Sequence, residues 1–288
     1  MSLSEEPAIA DSGSYPGQYI GRGKDRTSVN PDRQYNSTMS GKGALLAEAK
    51  AVLHRIDAGM DPDQIRHAVV EDDILDRGTR QNRENVWKNT FRRYISGRDA
   101  QHIATLARMV GLCPTEAAVD LVLFYEYCQA DALLYDLTAS CTYNLYQSAR
   151  TAIDTVDISE WLSQQESSHP EINGWSATTR NKVTKSYLAT IRDFGLVTGT
   201  KHKEFHKLFV PREAFVYALY HQLDRGIQGK DLIYSTDWRL FLLSEREVIF
   251  HLEEAAKGGF IHFRYAGDIY DLRPIYRDLS EVVDAIAR

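Results

Sequence analysis

The segment that most directly indicates the fold reads WSATTRNKVTKSYLATIRDFGLV and spans residues 175–197. Its apolar residues recur at steps of three and four, which predicts a helix from Ser176 to Phe194. Gly195 ends that helix, and short strands are expected at Leu196–Val197 and Phe205–Val210, with a polar turn between them. The order of helix, glycine and basic hairpin is typical of a winged-helix unit.

The residues before this segment are predicted to form a helical bundle. Asp61-Pro62 combines an N-cap residue with proline at the first helical position. Thr115–Leu137 is apolar and aromatic nearly all round, which indicates a central helix or helix pair within a bundle. Apolar periodicity predicts further helices near residues 45–56, 80–95, 99–110 and 158–165.

The residues after it repeat the order of helix and hairpin. Ser244–Glu247 forms a capping box at the start of a helix that runs to about Lys257. A second hairpin is expected around Gly267, and a short helix follows it. The predicted fold is therefore mainly α, with an N-terminal helical bundle followed by winged-helix-like units that carry short β-hairpins. The predicted divisions are an irregular N-terminal arm (1–35), the bundle (36–168), a winged-helix-like unit (169–212) and a C-terminal helical region with the second hairpin (213–288).

Composition argues for a protein of the cytoplasm. The longest apolar stretches are far shorter than the roughly 20 residues that a membrane-spanning helix needs. The N-terminus has no basic segment followed by an apolar one, so no secretory signal is expected. Three cysteines, with no CxxC pair among them, indicate reduced thiols in a core rather than disulfides or a zinc site.

Charge is segregated along the chain, although the whole carries a net charge of −6. Residues 77–98, the first basic island, hold seven basic residues and one acidic residue. Residues 171–212, the second basic island, hold eight basic and three acidic residues. A polyanion would be confined to these two islands, because the rest of the chain is acidic. The alternative, that basic helices pair with acidic neighbours inside the fold, stays open.

Both islands contain candidate nucleic-acid contacts. A helix through the first island would place Gln81, Asn85, Lys88 and Arg92 on one polar side, suited to phosphates and base edges. The second island would present cations from a helix and from the following hairpin. The predicted contacts are Arg77, Arg80, Arg83, Lys88, Arg92 and Arg93 in the first island, and Arg180, Lys182, Lys185, Lys201, Lys203 and Lys207 in the second. Winged helices also bind proteins, so protein docking remains an alternative.

No catalytic constellation is apparent. Ser40–Gly43 reads SGKG but lacks the flanking residues of a phosphate-binding loop. His202 and His206 belong to HKEFH rather than HExxH, and they fall on a predicted hairpin that does not align them. We therefore expect neither an enzyme nor a bound cofactor or metal.

The order of several segments resembles one known family. These segments are GALLAEAK at 43–50, EDDILDRGTRQNRENVWKNTFRRYI at 71–95, the apolar aromatic block to about residue 137, and the segment at 175–197 quoted above. Over roughly residues 36–288 the chain resembles the BrxA family of BREX phage-defence systems. The resemblance implies a small helical accessory protein encoded beside a methyltransferase, an ATPase and an alkaline-phosphatase-like protein. It also implies a bundle similar to NusB antitermination factors, and binding to double-stranded DNA.

The expected function is that of a non-enzymatic, sequence-tolerant protein that binds double-stranded DNA within a BREX system. Other BREX proteins are expected partners, and no membrane is. One alternative is an RNA-binding or antitermination-type regulator. Another is a scaffold whose basic islands dock other defence components. The oligomeric state, the DNA sequence preference and whether the two islands share one face do not follow from the sequence.

Overall fold

The computed structural model describes residues 34–41, 43–267 and 269–288. Most of the predicted arm (residues 1–33) lies outside this range. The helices are α1 (Leu46–Asp57), α2 (Pro62–Val70), α3 (Arg80–Tyr94), α4 (Ala100–Leu112), α5 (Glu116–Ala130), α6 (Ala132–Asp136), α7 (Tyr143–Gln147), α8 (Thr155–Gln165), α9 (Ala177–Asp193), α10 (Arg212–Asp224), α11 (Gly229–Ile233), α12 (Glu245–Lys257) and α13 (Leu279–Ile286). The strands are β1 (Ala152–Ile153), β2 (Val197–Thr198), β3 (Lys203–Phe205), β4 (Ile261–Ala266) and β5 (Ile269–Pro274). The fold is mainly helical with small antiparallel sheets, as predicted.

Helix α5 lies at the centre of the bundle and is buried on nearly every side, in agreement with its apolar sequence. It packs against α3 on one side and α10 on another. The predicted central block is a helix pair, because Asp131 interrupts it. The Asp131 side chain accepts a hydrogen bond from the backbone N–H of Leu134 and so caps α6. A π-helical turn at Leu137–Thr142 then leads into α7.

Tyr35 anchors the start of the described chain in the core. Its ring stacks on that of His169, with centroids 3.7 Å apart, and only 3% of the residue is exposed. The Tyr35 hydroxyl donates to Asp136 at 2.8 Å, and its backbone N–H donates to Glu171 at 2.6 Å. Residue 35, assigned to the arm on sequence grounds, thus packs with the helices.

The first sheet has the strand order β1–β3–β2, and both of its pairings are antiparallel. The prediction of a strand at residues 205–210 was wrong, because strand β3 covers Lys203–Phe205. Gly199, at φ +88°, makes a tight turn, so the chain re-enters the sheet earlier than expected. Phe209 is 76% exposed, because the chain has left the sheet by that point.

The C-terminal elements share one hydrophobic core with the bundle. Helix α10, which no sequence pattern predicted, is buried on most sides and packs against α5, α12 and α13. The second hairpin, β4–β5, forms as predicted, and so do the helix begun by the Ser244 capping box and the last helix. The division into domains stays a prediction, and β1 lies on the bundle side of its boundary at residue 168 although it pairs with the hairpin.

Candidate nucleic-acid interface

Helix α9 presents one buried face and one exposed basic face. The Ser176 hydroxyl caps its start by accepting a hydrogen bond from the backbone N–H of Thr179 at 3.1 Å. Val183, Tyr187 and Ile191 are fully buried, which fixes the rotation of the helix about its axis. Lys182 and Lys185 are consequently exposed on the other side.

The hairpin brings further cations next to this face. Lys185 and Arg192 of α9 and Lys201 and Lys203 of the hairpin line a shallow groove of about 360 Å³. The turn between the strands requires glycine at position 199. A Cβ atom there would lie 2.0 Å from the carbonyl oxygen of His202. The sequence of this turn therefore fixes where Lys201 lies relative to α9.

Two of the predicted DNA contacts in the second island, Lys203 and Arg180, instead bond to groups within the fold. Lys203 is buried and its Nζ donates to the carbonyl oxygen of Thr200 within the turn. Burial lowers the pKa of Lys203, and the nearby charge of Arg192 lowers it further. Arg180 forms an ion pair with Glu166 and donates to the carbonyl oxygen of Ile172 at 3.0 Å.

The remaining lysines of the second island are exposed, and among the described residues none of them has an acidic partner within ion-pair distance. They are Lys182, Lys185, Lys201 and Lys207. An exposed ammonium group without a partner retains its charge and its three donors for a ligand.

The first island is organised differently, because several of its arginines pair with acidic residues of the fold. Arg77 lies 2.7 Å from Glu48 of α1, and Arg80 lies 2.7 Å from Glu71. Arg80 also lies 3.2 Å from Glu84, one helical turn further along α3.

The Arg83 side chain has more partners within the fold than that of Arg77 or Arg80. It donates to the carbonyl oxygens of Val70 and Gly78, each at 2.7 Å, and lies 3.1 Å from Asp73. A backbone hydrogen bond from Arg77 and the contacts with Arg83 hold the pKa of the Asp73 carboxyl below its usual range. These contacts connect the segment after α2 to α3.

Arg93 corrects a prediction, because it is fully buried and cannot reach a ligand at the surface. Its guanidinium donates to the carbonyl oxygens of Gly43 and Ala44 at 2.9 and 2.7 Å and lies over the ring of Tyr127. Arg92 makes long contacts of 3.4 Å with Asn36 and Asn89. Lys88 is exposed and has no ion-pair partner among the described residues.

A buried polar cluster that was not predicted from the sequence lies elsewhere, at the junction of α4, α5 and α10. Glu126 of α5 is fully buried; it lies 3.1 Å from His102 and 3.9 Å from His221. Its other carboxylate oxygen accepts from Arg98 at 2.7 Å. Residues so far apart in sequence form no local motif, so no sequence signal joins them.

Mutual contacts shift the pKa values in this cluster. Burial alone would raise the pKa of Glu126, but the hydrogen bond with His102 and the charge of Arg98 hold it well below its usual range. Burial alone would lower the pKa of His102, but the hydrogen bond with Glu126 raises it. Burial lowers the pKa of His221. The carboxylate of Glu126 is therefore ionised at neutral pH.

Fold and surface together define a mainly helical protein with one exposed basic helix and hairpin. Throughout residues 34–41, 43–267 and 269–288, no helix is both long enough and apolar enough to span a membrane. The chain belongs to the BrxA family, whose model matches residues 33–221. This membership supports a role associated with BREX phage-defence systems.

One solved structure similar to this chain is the crystal structure of an uncharacterized protein from Magnetospirillum magneticum. The match has a TM-score of 0.56 at 18% sequence identity and covers 73% of this chain and 98% of the other. At that identity the similarity concerns the fold alone. No curated protein matches the chain.

Proposed function

We propose that this chain is a non-enzymatic, sequence-tolerant protein that binds double-stranded DNA in the cytoplasm, as an accessory component of a BREX anti-phage defence system. The row of exposed lysines on α9 and the β2–β3 hairpin, which have no acidic partner within the described part of the chain, is the main support for this proposal. Family membership supports the BREX association.

The arrangement of α8, α9 and the first sheet supports assigning a winged-helix-like unit to this region. Along the chain, strand β1 is followed by α8, then by α9 and then by the β2–β3 hairpin. Strand β1 pairs with β3. In helix-turn-helix readers the second helix of the pair enters the major groove. Helix α9 is the second helix of the α8–α9 pair. The turn that carries Lys201 would then lie against the DNA backbone beside the groove.

The cations of this surface also favour binding that tolerates many sequences. Lys182, Lys185 and Lys201 offer ammonium groups, which act as compact point charges on phosphates. Phosphate contacts fix register and orientation but do not read bases. The acidic remainder of the chain would repel DNA, which leaves it for protein partners.

Duplex-DNA binding by the purified protein, titrated across salt concentrations, tests the proposal. Contacts with about four phosphates predict a log–log salt slope of about −4. The triple variant Lys182→Glu/Lys185→Glu/Lys201→Glu should lose most of its affinity and flatten the slope. Its exposed side chains make few contacts within the fold, so the melting temperature should stay close to that of the parent.

A matched control separates this surface from the effect of total charge. The variant Arg66→Glu/Arg246→Glu/Arg264→Glu makes the same change in net charge, at exposed positions outside both islands. It should retain the parent affinity apart from a small general decrease. Equal losses in the two triple variants would contradict a localised interface.

Two further outcomes would replace the proposal by an alternative. No duplex binding at about 50 mM salt, a permissive condition for phosphate contacts, would overturn it and favour a protein scaffold. Clear preference for single-stranded RNA over duplex DNA would favour an RNA-binding regulator.

A further inference from the structure

We propose that His102, Glu126 and His221 form a binding site for a divalent transition-metal ion such as Zn²⁺. The site lies apart from the lysine surface, so this inference does not depend on the proposed DNA binding. Each residue comes from a different helix, α4, α5 and α10 respectively. A bound ion would therefore connect elements that are distant in sequence.

The distances in the cluster suit a metal ion. One ligand atom from each residue lies within 4.8 Å of the other two. Nε2 of His102 is 3.1 Å and Nε2 of His221 is 3.9 Å from the same oxygen, Oε1 of Glu126. Ligands at about 2.1 Å from a tetrahedral zinc ion lie roughly 3.4 Å from one another. The two separations from Oε1 bracket that value, and side-chain adjustments that keep every ligand atom within 4.8 Å of the others would complete the arrangement.

Hydrogen bonding outside the cluster orients His221 for this role. The Tyr125 hydroxyl donates a hydrogen bond to Asp237 at 2.6 Å. The oxygen of Tyr125 is then the acceptor toward Nδ1 of His221, 3.0 Å away, which places the ring proton on Nδ1. The lone pair of Nε2 is left facing Glu126. Indirect support of a histidine by a carboxylate is a common feature of metal sites.

Glu126 would bind the metal through one carboxylate oxygen, Oε1. Arg98 occupies Oε2 through contacts of 2.9 and 2.7 Å, and Tyr217 donates to Oε1 at 2.8 Å. A metal would take the place of the proton between Oε1 and His102. Two imidazoles and one carboxylate oxygen favour zinc, copper, nickel or cobalt, whereas Mg²⁺ and Ca²⁺ prefer sites made mostly of oxygen ligands.

The cluster is also accessible. His102, Glu126 and His221 line a pocket of about 450 Å³ whose other residues include Arg92, Asp99 and Gln129. The pocket provides an entry path and room for a water molecule as a fourth ligand. Metal sites with three protein ligands commonly retain such a position.

Metal titration of the full chain, first stripped with a chelator, tests the site. Zn²⁺ binding is measured by calorimetry, and Co²⁺ binding by the appearance of visible absorption bands. Zn²⁺ at about 100 times its dissociation constant should raise the melting temperature by about 5 °C or more. Mg²⁺ at the same concentration should cause no shift.

Two conservative variants remove a ligand but retain the hydrogen bonds of the metal-free protein. His102→Gln keeps a donor toward Glu126, and His221→Asn keeps a donor toward Tyr125. Each should melt near the parent temperature in chelator, yet lose the Zn²⁺-induced shift and the Co²⁺ bands. The double variant His202→Gln/His206→Gln removes an exposed histidine pair and should bind metal as the parent does.

Some results would overturn the assignment. One is the absence of both a thermal shift and Co²⁺ bands in the parent protein. Another is undiminished binding in His102→Gln and in His221→Asn. Loss of binding in the His202→Gln/His206→Gln variant would show that the metal binds at the surface histidine pair, and would also overturn the assignment.

Discussion

The two basic islands have similar net charge but opposite relations to the rest of the fold. In the first, Arg77 and Arg80 pair with acidic residues and Arg93 is buried beneath the surface. In the second, Lys182 and Lys185 are exposed and have no acidic partner among the described residues. A count of cations along a sequence therefore does not separate those that stabilise the fold from those that are exposed and able to bind a ligand.

The origin of the difference lies in the neighbouring sequence. Residues 44–76 carry three basic and eight acidic residues, and they fold against α3. Glu48, Glu71 and Asp73 come from this segment and contact the arginines of the first island. The lysines of α9 lie on its exposed face, and among the described residues no acidic side chain lies within ion-pair distance of them.

The largest expected effect comes from Arg93→Ala. The substitution leaves the carbonyl oxygens of Gly43 and Ala44 without their charged donor, which should lower the free energy of unfolding by about 3 kcal/mol. Urea denaturation measures this loss, and Arg93→Lys should give an intermediate value. An Arg93→Ala protein with unchanged stability and weakened DNA binding would instead assign Arg93 to the DNA interface.

Arg83→Ala should have the next largest effect. Two carbonyl oxygens and Asp73 lose a donor, so the free energy of unfolding should fall by about 2 kcal/mol. The salt slope of DNA binding should be unchanged below the melting transition. A shallower slope with unchanged stability would assign Arg83 to the interface.

Lys182→Ala should show the opposite pattern from Arg83→Ala. Stability should change by less than about 0.5 kcal/mol, because the side chain is exposed. The log–log salt slope should become shallower by about 1, the loss of one phosphate contact. A titration across salt beside a thermal melt measures both, and an unchanged slope would exclude Lys182 from the interface.

Lys88→Ala should have the smallest effect and most sharply tests the division between the islands. Lys88 is the exposed first-island lysine without an ion-pair partner among the described residues. If DNA binds through the second island alone, neither the slope nor the stability should change. A slope that becomes shallower by about 1 would show that both islands contact DNA.

Much of the fold followed from local signals in the sequence. The capping residues at Asp61 and Ser244 begin helices where they are expected to, and Gly267 lies in the turn of the second hairpin. Such features act within a few residues, so they are visible without knowledge of the tertiary structure.

The parts that could not be predicted depend on distant partners. Strand β1 has two residues, and only its pairing with β3 defines it. Helix α10 is apolar nearly all round, so it lacks the one-sided pattern that marks a surface helix. The cluster around Glu126 joins three helices, and no spacing in the sequence indicates that His102 and His221 meet there.

The anchoring of Tyr35 has a practical consequence for fragments of this protein. A fragment that begins at residue 36 would remove the ring stacked on His169 and the donor to Asp136. It would also remove the hydrogen bond from the backbone N–H of Tyr35 to Glu171, which lies in the turn before α9. The shortest fragment that preserves this packing therefore starts at or before Gln34, and an affinity tag is better joined through additional residues ahead of that position.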